Sequence, residues 1–447
     1  MSKLFEDAET NRRFSRGQWR MIGLTIVGYT LFYFMRKNFS FAMPGLEQDL
    51  GVTKGMLGNC LAAGGIVYGV SKFLNGIIGD RVDPRRFFCF GLAMCVLVNA
   101  ALGFVGCLQA DVTTLAIVIG GCYVLNQFFQ GTGFPPCAKL IAFWIPPNEL
   151  ATKMSVWNTS HSIGGGLVAK ICGVIMGLGV IGTANQGVGM WRWCFWSMAI
   201  AGFLGLLVMW LWLPGTPEEE GLPPVPGTEE VSAQSNTQTI KQSNNQSVLK
   251  AVFTSPAIWL LGLCNFSINA SRALVADWGP TMLQEAKGLS SSESGTVIMC
   301  FEFAGILGML AAGWVTDRLA GGRGPRVCVF MMALAALSLA GFWFLPTGLA
   351  SGAALALFGF MLYGPQALTG VAATNLCGKQ VAGTSIGFIS LFSYIGVAVA
   401  GKVCGSLVQV SGSWRASVLV IIGTLLVGMF FFCCLWRAKA NNYEPAT

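Results

Sequence analysis

The sequence predicts an all-α integral membrane protein, with twelve transmembrane helices in two pseudo-symmetric six-helix halves and both termini in the cytoplasm. Three observations support this fold class. Of the 447 residues, 54% are hydrophobic and only 11% are charged, whereas soluble proteins carry about 25% charged residues. Two groups of six apolar segments flank a polar linker, and short motifs recur at corresponding places in the two groups. Basic residues are concentrated in alternate loops.

The apolar segments are each long enough to cross a bilayer, which takes about 20 residues of helix. Residues 20–213 form the predicted N-terminal half and residues 256–437 the C-terminal half. Between them, residues 214–255 are rich in Pro, Glu, Ser, Asn and Gln, which predicts a disordered cytoplasmic linker. Residues 1–19 and 438–447 are predicted cytoplasmic tails. The predicted spans are approximately residues 20–43, 55–79, 86–108, 112–143, 152–182, 191–213, 256–284, 292–316, 326–346, 350–376, 381–411 and 414–436.

The distribution of basic residues orients these spans. With residue 1 inside, 18 of the 28 Lys and Arg residues fall on the inner side and 4 on the outer side. Lys and Arg are enriched in cytoplasmic loops, so the amino terminus is predicted to be cytoplasmic, and an even number of spans returns the carboxyl terminus to the same side. This bias accounts for the net charge of +8, so the expected partner is the lipid bilayer and not a nucleic acid.

Two loops on the predicted cytoplasmic side carry the same pattern. The stretch "GIIGDRVDPRR" follows the second span and "GWVTDRLAGGRGPR" follows the eighth. In the shared Gly-x-x-x-Asp-Arg pattern, Gly permits close helix approach, and Asp and Arg can bridge neighbouring helix ends. The pattern predicts a cytoplasmic gate motif in each half, related by an offset of 237 residues, that comprises Gly76, Asp80 and Arg81, and Gly313, Asp317 and Arg318.

Charges inside the predicted spans indicate the sign of the ligand. Charged residues at membrane depth are costly and usually mark ligand or ion pathways. A carrier driven by protons or sodium ions needs carboxylates there, but this chain has six cations and two anions, which favours an anionic ligand. The cations are Arg36, Lys37, Lys72, Lys170, Arg272 and Lys402, and the anions are Asp277 and Glu302.

Two of these cations occupy matching positions in the two halves. Arg36 and Arg272 are separated by 236 residues, and each follows the start of its span by 16 residues, about 24 Å along a helix axis. They are therefore expected to face each other across the pseudo-symmetry axis. A planar guanidinium binds two oxygens of a phosphate at once, so a phosphoryl dianion suits the pair best, although carboxylates and sulfate also satisfy this geometry.

Further polar residues are candidates for the walls of the same cavity. Tyr68 and Lys72 share one helix face at i and i+4, and Asn158 and His161, the one histidine of the chain, are at i and i+3. His161 is either a core residue or a hydrogen-bond donor to phosphate. Hydroxyl and amide groups in the other candidate spans can bind a sugar or polyol, or can simply join helices. The remaining cavity candidates are Tyr33, Trp157, Tyr363, Gln366, Tyr394 and Lys402.

Two motifs typical of enzymes are absent from the sequence. It has no G-x-x-x-x-G-K-[ST] phosphate-binding loop and no H-E-x-x-H. Its fifteen cysteines form no C-x-x-C and are interpreted as small hydrophobic core residues. We therefore expect neither a catalytic residue, nor a metal, nor a cofactor.

Several longer stretches resemble the organophosphate:phosphate antiporters of the major facilitator superfamily. They include "GYTLFYFMRKNFSFAMPGL", "YGVSKFLNGIIGDR", "FFQGTGFPPCAK", "WNTSHSIGGG", "ADWGP", "GWVTDR" and "YGPQALTGVAA". The resemblance implies the major facilitator fold, with the substrate site between the halves near the membrane midplane. It also implies that Arg36 and Arg272 bind the substrate phosphate with help from Lys72 and His161. The path would be lined by Tyr29, Tyr33, Tyr68, Trp157, Asn158, Tyr363 and Tyr394.

Within that family the stretches "YFMRKNFSFAMP", "FPPCAK" and "LFSYIG" are most similar to carriers and sensors of hexose 6-phosphates. The glycerol 3-phosphate branch usually has Tyr in place of Phe32, Trp in place of Phe134 and often Tyr in place of Asn269, which favours a bulkier sugar ligand and adds Asn269 to the cavity candidates. Lys402 resembles a lysine of some hexose-phosphate carriers, but the aspartate that accompanies it there is replaced by Ala398.

The resemblance implies a monomeric, multi-pass transporter of a bacterial inner membrane, or of an organelle, that exchanges inorganic phosphate for a sugar phosphate, with glucose 6-phosphate preferred. The exchange would proceed by rocker-switch alternating access, in which the two halves rock about the central site. Glycerol 3-phosphate or phosphoglycerate as the substrate, and a transporter-like sensor of hexose phosphates, are the alternatives.

Overall fold

The computed structural model describes residues 7–178, 189–225, 253–377 and 382–437, and the regular elements within those ranges are helices. The linker residues 226–252 and the tail residues 1–6 and 438–447 lie outside the described residues, as does the side chain of Asp80. The N-terminal half contains α1 (Ala8–Leu50), α2 (Lys54–Arg81), α3 (Pro84–Phe104), α4 (Val112–Gln130), α5 (Phe134–Trp144), α6 (Pro147–Asn158), α7 (Ser160–Leu178) and α8 (Trp191–Trp212).

The C-terminal half repeats this helical arrangement. Its helices are α9 (Pro256–Ala276), α10 (Gly279–Lys287), α11 (Ser291–Arg318), α12 (Gly324–Phe344), α13 (Leu349–Cys377), α14 (Ala382–Ser411) and α15 (Trp414–Cys434).

Short polar caps determine where several of these helices begin. The Thr53 hydroxyl accepts a hydrogen bond from the first turn of α2, and Asp83 does the same for α3, whose first residue is Pro84. Proline suits that position because the first amide groups of a helix have no partner within the helix. Ser290 and Glu293 form a reciprocal capping box at the start of α11. Loop residues thus cap the starts of these three helices.

Eleven helical stretches among the described residues are long and apolar enough to cross a membrane, and they correspond to eleven of the predicted spans. The predicted first span, residues 20–43, lies within α1, where Arg20, Arg36 and Lys37 interrupt the apolar run. The twelfth crossing and the cytoplasmic location of the termini remain predictions.

Three predicted spans are interrupted, and one of them, 152–182, is divided at Thr159 between α6 and α7. The segment 112–143 is divided between α4 and α5 by the turn Gly131–Gly133, because Pro135 and Pro136 lack an amide hydrogen and fit only in the first turn of a helix. The segment 256–284 is interrupted after Ala276, and α10 starts just before Pro280. The breaks in 112–143 and 256–284 follow from proline, which the apolar pattern alone did not reveal.

The two halves contact each other along two seams that involve glycine. In one seam, α2 packs on α14, and a β-carbon added to Gly58 would lie 3.0 Å from the Gly401 carbonyl oxygen. In the other, α7 packs on α11, and a β-carbon on Gly295 would lie 2.3 Å from the Ala169 carbonyl oxygen. Both contacts lie near the ends of α2 and α11 that start on the predicted outer side. The structure is therefore closed on that side.

Each seam also contains a lysine from the N-terminal half. The Lys54 ammonium lies 2.6 Å from a Glu47 oxygen and 2.9 Å from a Glu285 oxygen of the other half. In the second seam the Lys170 ammonium donates to the Thr296 hydroxyl at 2.8 Å. Lys170, for which the sequence suggested no partner, therefore joins α7 to α11.

The predicted gate motifs lie at the opposite ends of α2 and α11. A β-carbon added to Gly76 or to Gly313 would meet nothing within 4 Å, so the expected close helix approach at these glycines is not present in this conformation. Arg81, Asp317 and Arg318 are exposed, and the ion pairs among the described side chains do not include Asp317 or Arg318. The expected Asp–Arg bridge is therefore absent from the second motif among the described side chains.

The glycine contact at the second seam predicts that Gly295→Ala slows the phosphate exchange expected from the sequence at least tenfold. Alanine favours a helix over glycine by about 1 kcal/mol, but its methyl group would overlap the Ala169 carbonyl and hinder closure of the outer side. The rate of labelled phosphate exchange in proteoliposomes measures the effect. Gly423→Ala on α15 is the matched control, because its β-carbon would meet nothing within 4 Å. Equal exchange rates for the two variants would contradict the assigned role of the seam.

Candidate functional site

A cavity of about 320 Å³ lies between the two halves. Most of the candidates from the sequence line it, on helices of both halves. They are Tyr29, Tyr33, Arg36, Tyr68, Lys72, Asn158, His161, Asn269, Arg272, Gln366 and Tyr394. Lining residues that the sequence did not single out include Tyr123, Gln127, Phe134, Asn265, Thr369, Ser390 and Ser393.

Arg36 is held in the cavity by aromatic rings. Its guanidinium carbon lies 3.8 Å from the ring centroid of Tyr68 and 5.5 Å from that of Tyr33. The negative face of an aromatic ring attracts a cation, and Tyr33 is one turn before Arg36 on α1. No carboxylate of the described residues forms an ion pair with Arg36. Its charge is therefore uncompensated within the described part of the protein.

Arg272 is also in the cavity, but its charge is partly neutralised. Its Nε donates to the Tyr363 hydroxyl at 2.7 Å, and its Nη2 lies 3.3 Å from a Glu302 oxygen. Tyr363 in turn donates to Glu302 at 2.5 Å. Tyr363 was predicted to line the path, but the structure places it behind Arg272, where it is fully buried and orients the guanidinium. The two arginines thus line one cavity, but among the described residues a carboxylate partly neutralises the charge of Arg272 and none neutralises that of Arg36.

A second ion pair lies on the cavity wall and joins the halves. The Lys37 ammonium of α1 lies 2.6 Å from an oxygen of Asp277, the residue that follows α9. Both residues line the cavity, and their side chains are only 15% and 9% exposed. The sequence identified both charges but not their pairing, because they are 240 positions apart. The pair accounts for one of the six intramembrane cations.

Lys72 reaches from the N-terminal half to the C-terminal half. Its ammonium lies 3.1 Å from the Tyr394 hydroxyl and 4.8 Å from the ring centroid of Phe134. The Tyr394 ring meets the Tyr68 ring edge-on at 5.1 Å. No described carboxylate forms an ion pair with Lys72, so it is the second uncompensated cation that lines the cavity.

His161 is oriented by its own helix turn. Its Nδ1 is hydrogen-bonded to the Asn158 carbonyl, which only accepts, so Nδ1 carries a hydrogen. A neutral His161 therefore presents its Nε2 as an acceptor, and it donates to phosphate only when protonated. Its ring lies 5.9 Å from that of Tyr33 and 6.5 Å from that of Tyr363, measured between centroids.

Besides Tyr363, two further predicted cavity residues lie outside it. Trp157 is fully buried and supports the wall, with its ring 4.8 Å from Tyr29 and 5.7 Å from Phe134. Lys402 does not line the cavity, and its side chain is exposed. The helix α14 turns Gly401 toward α2 instead, so the prediction for Lys402 was wrong. Its resemblance to a family lysine could not indicate the rotation of the helix.

Comparisons with known proteins agree with this architecture. The sequence matches the protein family described as "Major Facilitator Superfamily" over residues 25–401. It is 32% identical to the "Glycerol-3-phosphate transporter" of Bacillus subtilis, over 97% of this chain and 95% of that protein. It is 33% identical to the "Probable hexose phosphate transport protein" of Chlamydia pneumoniae, over 98% and 96% of the two chains. It is 34% identical to the "Membrane sensor protein UhpC" of Salmonella typhimurium, over 86% and 84%.

A solved structure shows the same fold. A bacterial homologue of the human lysosomal transporter Spinster, crystallised in an inward-facing and occupied conformation, superimposes with a TM-score of 0.75 at 14% identity, and the match covers 95% of this chain and 98% of that one. The expected major facilitator fold is thereby confirmed.

The Lys37–Asp277 pair predicts a non-additive effect of mutation. Asp277→Asn leaves a cation unpaired in the cavity and should destabilise the protein by about 3 kcal/mol, whereas Lys37→Met with Asp277→Asn should restore most of that loss. The midpoint of thermal unfolding in detergent measures both. Glu220→Gln is the control, because the Arg20–Glu220 pair, at 2.8 Å, is 44% and 33% exposed and such pairs contribute little. A double variant as unstable as the sum of its two single variants would contradict the coupling.

Proposed function

The chain belongs to the major facilitator superfamily, and on this basis we propose that it is a secondary transporter that exchanges inorganic phosphate for a sugar phosphate, glucose 6-phosphate in the first place. A multi-pass membrane transporter of organophosphates is the coarser assignment, and the names of two of the relatives, from Bacillus subtilis and Chlamydia pneumoniae, describe such transporters. The identity of the sugar phosphate and the exchange for phosphate belong to the proposal.

One observation carries it: the charge balance of the cavity. Among the described residues, four cationic side chains line the space between the halves. Two are paired with carboxylates, Lys37 with Asp277 and Arg272 with Glu302, and two, Arg36 and Lys72, have no carboxylate partner among the described residues. The resulting excess of two positive charges matches a phosphate monoester, which carries about −1.5 to −2 charges at neutral pH. Inorganic phosphate has nearly the same charge and therefore competes for the same groups.

This balance supports exchange over one-way transport. Removing uncompensated charge from water costs several kcal/mol per ion, so closing the cavity around an empty site is unfavourable. A bound phosphate or phosphate ester neutralises the excess and lowers that cost. The halves should therefore reorient when loaded and stall when empty, which couples the exit of one anion to the entry of another.

The observed conformation supports rocking of the halves about the cavity. It is closed on the predicted outer side by the two glycine seams and by the Lys54–Glu285 pair. Opening that side requires Gly295 to separate from Ala169 and the Lys54–Glu285 ion pair to break. These contacts lie away from the cavity cations, so the seams can open and close while the anion stays bound between the halves.

Cavity size and composition support a sugar phosphate. A volume of 320 Å³ corresponds to roughly ten water molecules, more than the five heavy atoms of inorganic phosphate need. The wall beyond the arginines carries neutral amides and hydroxyls, among them Asn269, Gln366 and Ser393, which suit the hydroxyl groups of a sugar.

The experiment is uptake of labelled glucose 6-phosphate into proteoliposomes loaded with phosphate. The wild-type protein should take up label, and phosphate-free vesicles should show much slower uptake. Arg36→Lys and Arg272→Lys should each reduce uptake about tenfold or more, because a lysine cannot form the two parallel hydrogen bonds of a guanidinium. Arg415→Lys at the start of α15, outside the cavity, is the matched control and should retain uptake.

The same assay separates the alternatives. Rapid uptake into phosphate-free vesicles would overturn the exchange mechanism. Binding of glucose 6-phosphate without uptake would assign the chain to the sensors, in line with its similarity to UhpC. A stronger competition by glycerol 3-phosphate or phosphoglycerate than by glucose 6-phosphate would replace the proposed substrate by the smaller ester.

A further inference from the structure

The two walls of the cavity differ in chemistry. The N-terminal half presents mainly aromatic rings, among them Tyr29, Tyr33 and Phe134, whereas the C-terminal half presents neutral amide and hydroxyl groups on α9, α13 and α14. Rings can pack against the C–H faces of a ligand, and amides and hydroxyls can exchange hydrogen bonds with its polar rim. The asymmetry indicates that the organic part of an ester is bound by different means on its two sides.

An amide network on the C-terminal wall fixes the orientation of Asn269. The Asn269 amide nitrogen donates to the backbone carbonyl of Asn265 at 2.9 Å and to the Asn265 side-chain oxygen at 3.1 Å. Asn265 is itself held, because its amide nitrogen donates to the Ile389 carbonyl at 3.2 Å and to the Ser393 hydroxyl at 2.5 Å. A backbone carbonyl only accepts, so the Asn269 amide cannot be reversed without placing two oxygens against each other.

In this network the amide nitrogen of Asn269 is occupied as a donor, whereas its side-chain oxygen is available as an acceptor. Asn269 lines the cavity, and no hydrogen bond among the described residues uses its side-chain oxygen. Asn269 precedes Arg272 by three residues on α9, a rise of about 4.5 Å along the helix. A carbonyl oxygen at this place attracts an O–H group and repels the oxygens of a phosphate.

We propose that Asn269 selects the organic substrate by accepting a hydrogen bond from one of its hydroxyl groups, and that Asn265 is the positioning residue that keeps this acceptor directed into the cavity. The inference rests on the proposed function. It adds to that function a preferred orientation of the organic substrate in the cavity. The phosphoryl group is drawn to the two arginines, and the repulsion of its oxygens by Asn269 directs the hydroxyl-bearing part of the ester to the adjacent turn of α9. Inorganic phosphate gains nothing from Asn269.

The test compares three ligands in the proteoliposome exchange assay: glucose 6-phosphate, inorganic phosphate, and ethyl phosphate, an ester without hydroxyl groups. Asn269→Leu has a similar size but no acceptor. One neutral hydrogen bond corresponds to roughly a three- to tenfold effect, so the KM for glucose 6-phosphate should rise by that factor relative to the KM for phosphate and for ethyl phosphate. Thr424→Val, on the exposed surface of α15, is the matched control and should leave the KM ratios as in the wild type.

Asn265→Leu provides a second variant in case Asn269→Leu does not fold, as judged by loss of phosphate:phosphate exchange. It keeps Asn269 and the hydrogen bond of its amide nitrogen to the backbone carbonyl of residue 265, but removes the side-chain acceptor of that nitrogen, and should shift the KM ratio in the same direction by a smaller factor. An equal rise in KM for all three ligands in both variants would overturn the inference and leave the exchange function intact. Absence of glucose 6-phosphate uptake by the wild-type protein, with phosphate exchange running, would instead overturn the sugar-phosphate assignment on which the inference rests.

Discussion

The structure depends on one electrostatic constraint. Positive charge lies in the cavity between the halves, which is closed to water in each cycle of the proposed exchange. Arg36 is stacked on Tyr68 and Lys72 contacts Tyr394, so aromatic rings and a hydroxyl partly replace the lost hydration. They do not cancel the charge. Only an anionic ligand does so, and the energy of closing the cavity is thereby tied to its occupancy.

The paired charges have a different role from the unpaired ones. Glu302 and Tyr363 hold the Arg272 guanidinium from behind, which limits its rotation and leaves part of its fork for an incoming anion. The Lys37–Asp277 pair spans the halves at the cavity wall, so it contributes to the same contact that the seams make farther out. An anion that attracts Lys37 or Arg272 competes with these carboxylates, and binding is thus coupled to contacts between the halves.

The outer seams show why small residues matter at a moving interface. At Gly58 and Gly295 the backbones approach so closely that a methyl group would touch or overlap a carbonyl oxygen. Close backbone contact increases the dispersion attraction between the two helices. Because few side chains interdigitate there, the helices can separate without side-chain rearrangement. Lys54 and Lys170 each add one polar contact between the halves. These contacts align the helices, and they break when the seam opens.

The sequence by itself determined the membrane class, the duplicated halves and the matching positions of Arg36 and Arg272, because apolar length, charge at membrane depth and repeat spacing are properties of the chain that packing does not change. It could not determine which charges are paired, since Lys37 meets Asp277 only when two helices from different halves are packed together. It likewise misplaced Lys402, whose side chain leaves the cavity because α14 presents Gly401 to α2. The rotation of a helix about its axis is set by contacts with its neighbours, and only the tertiary structure decided it.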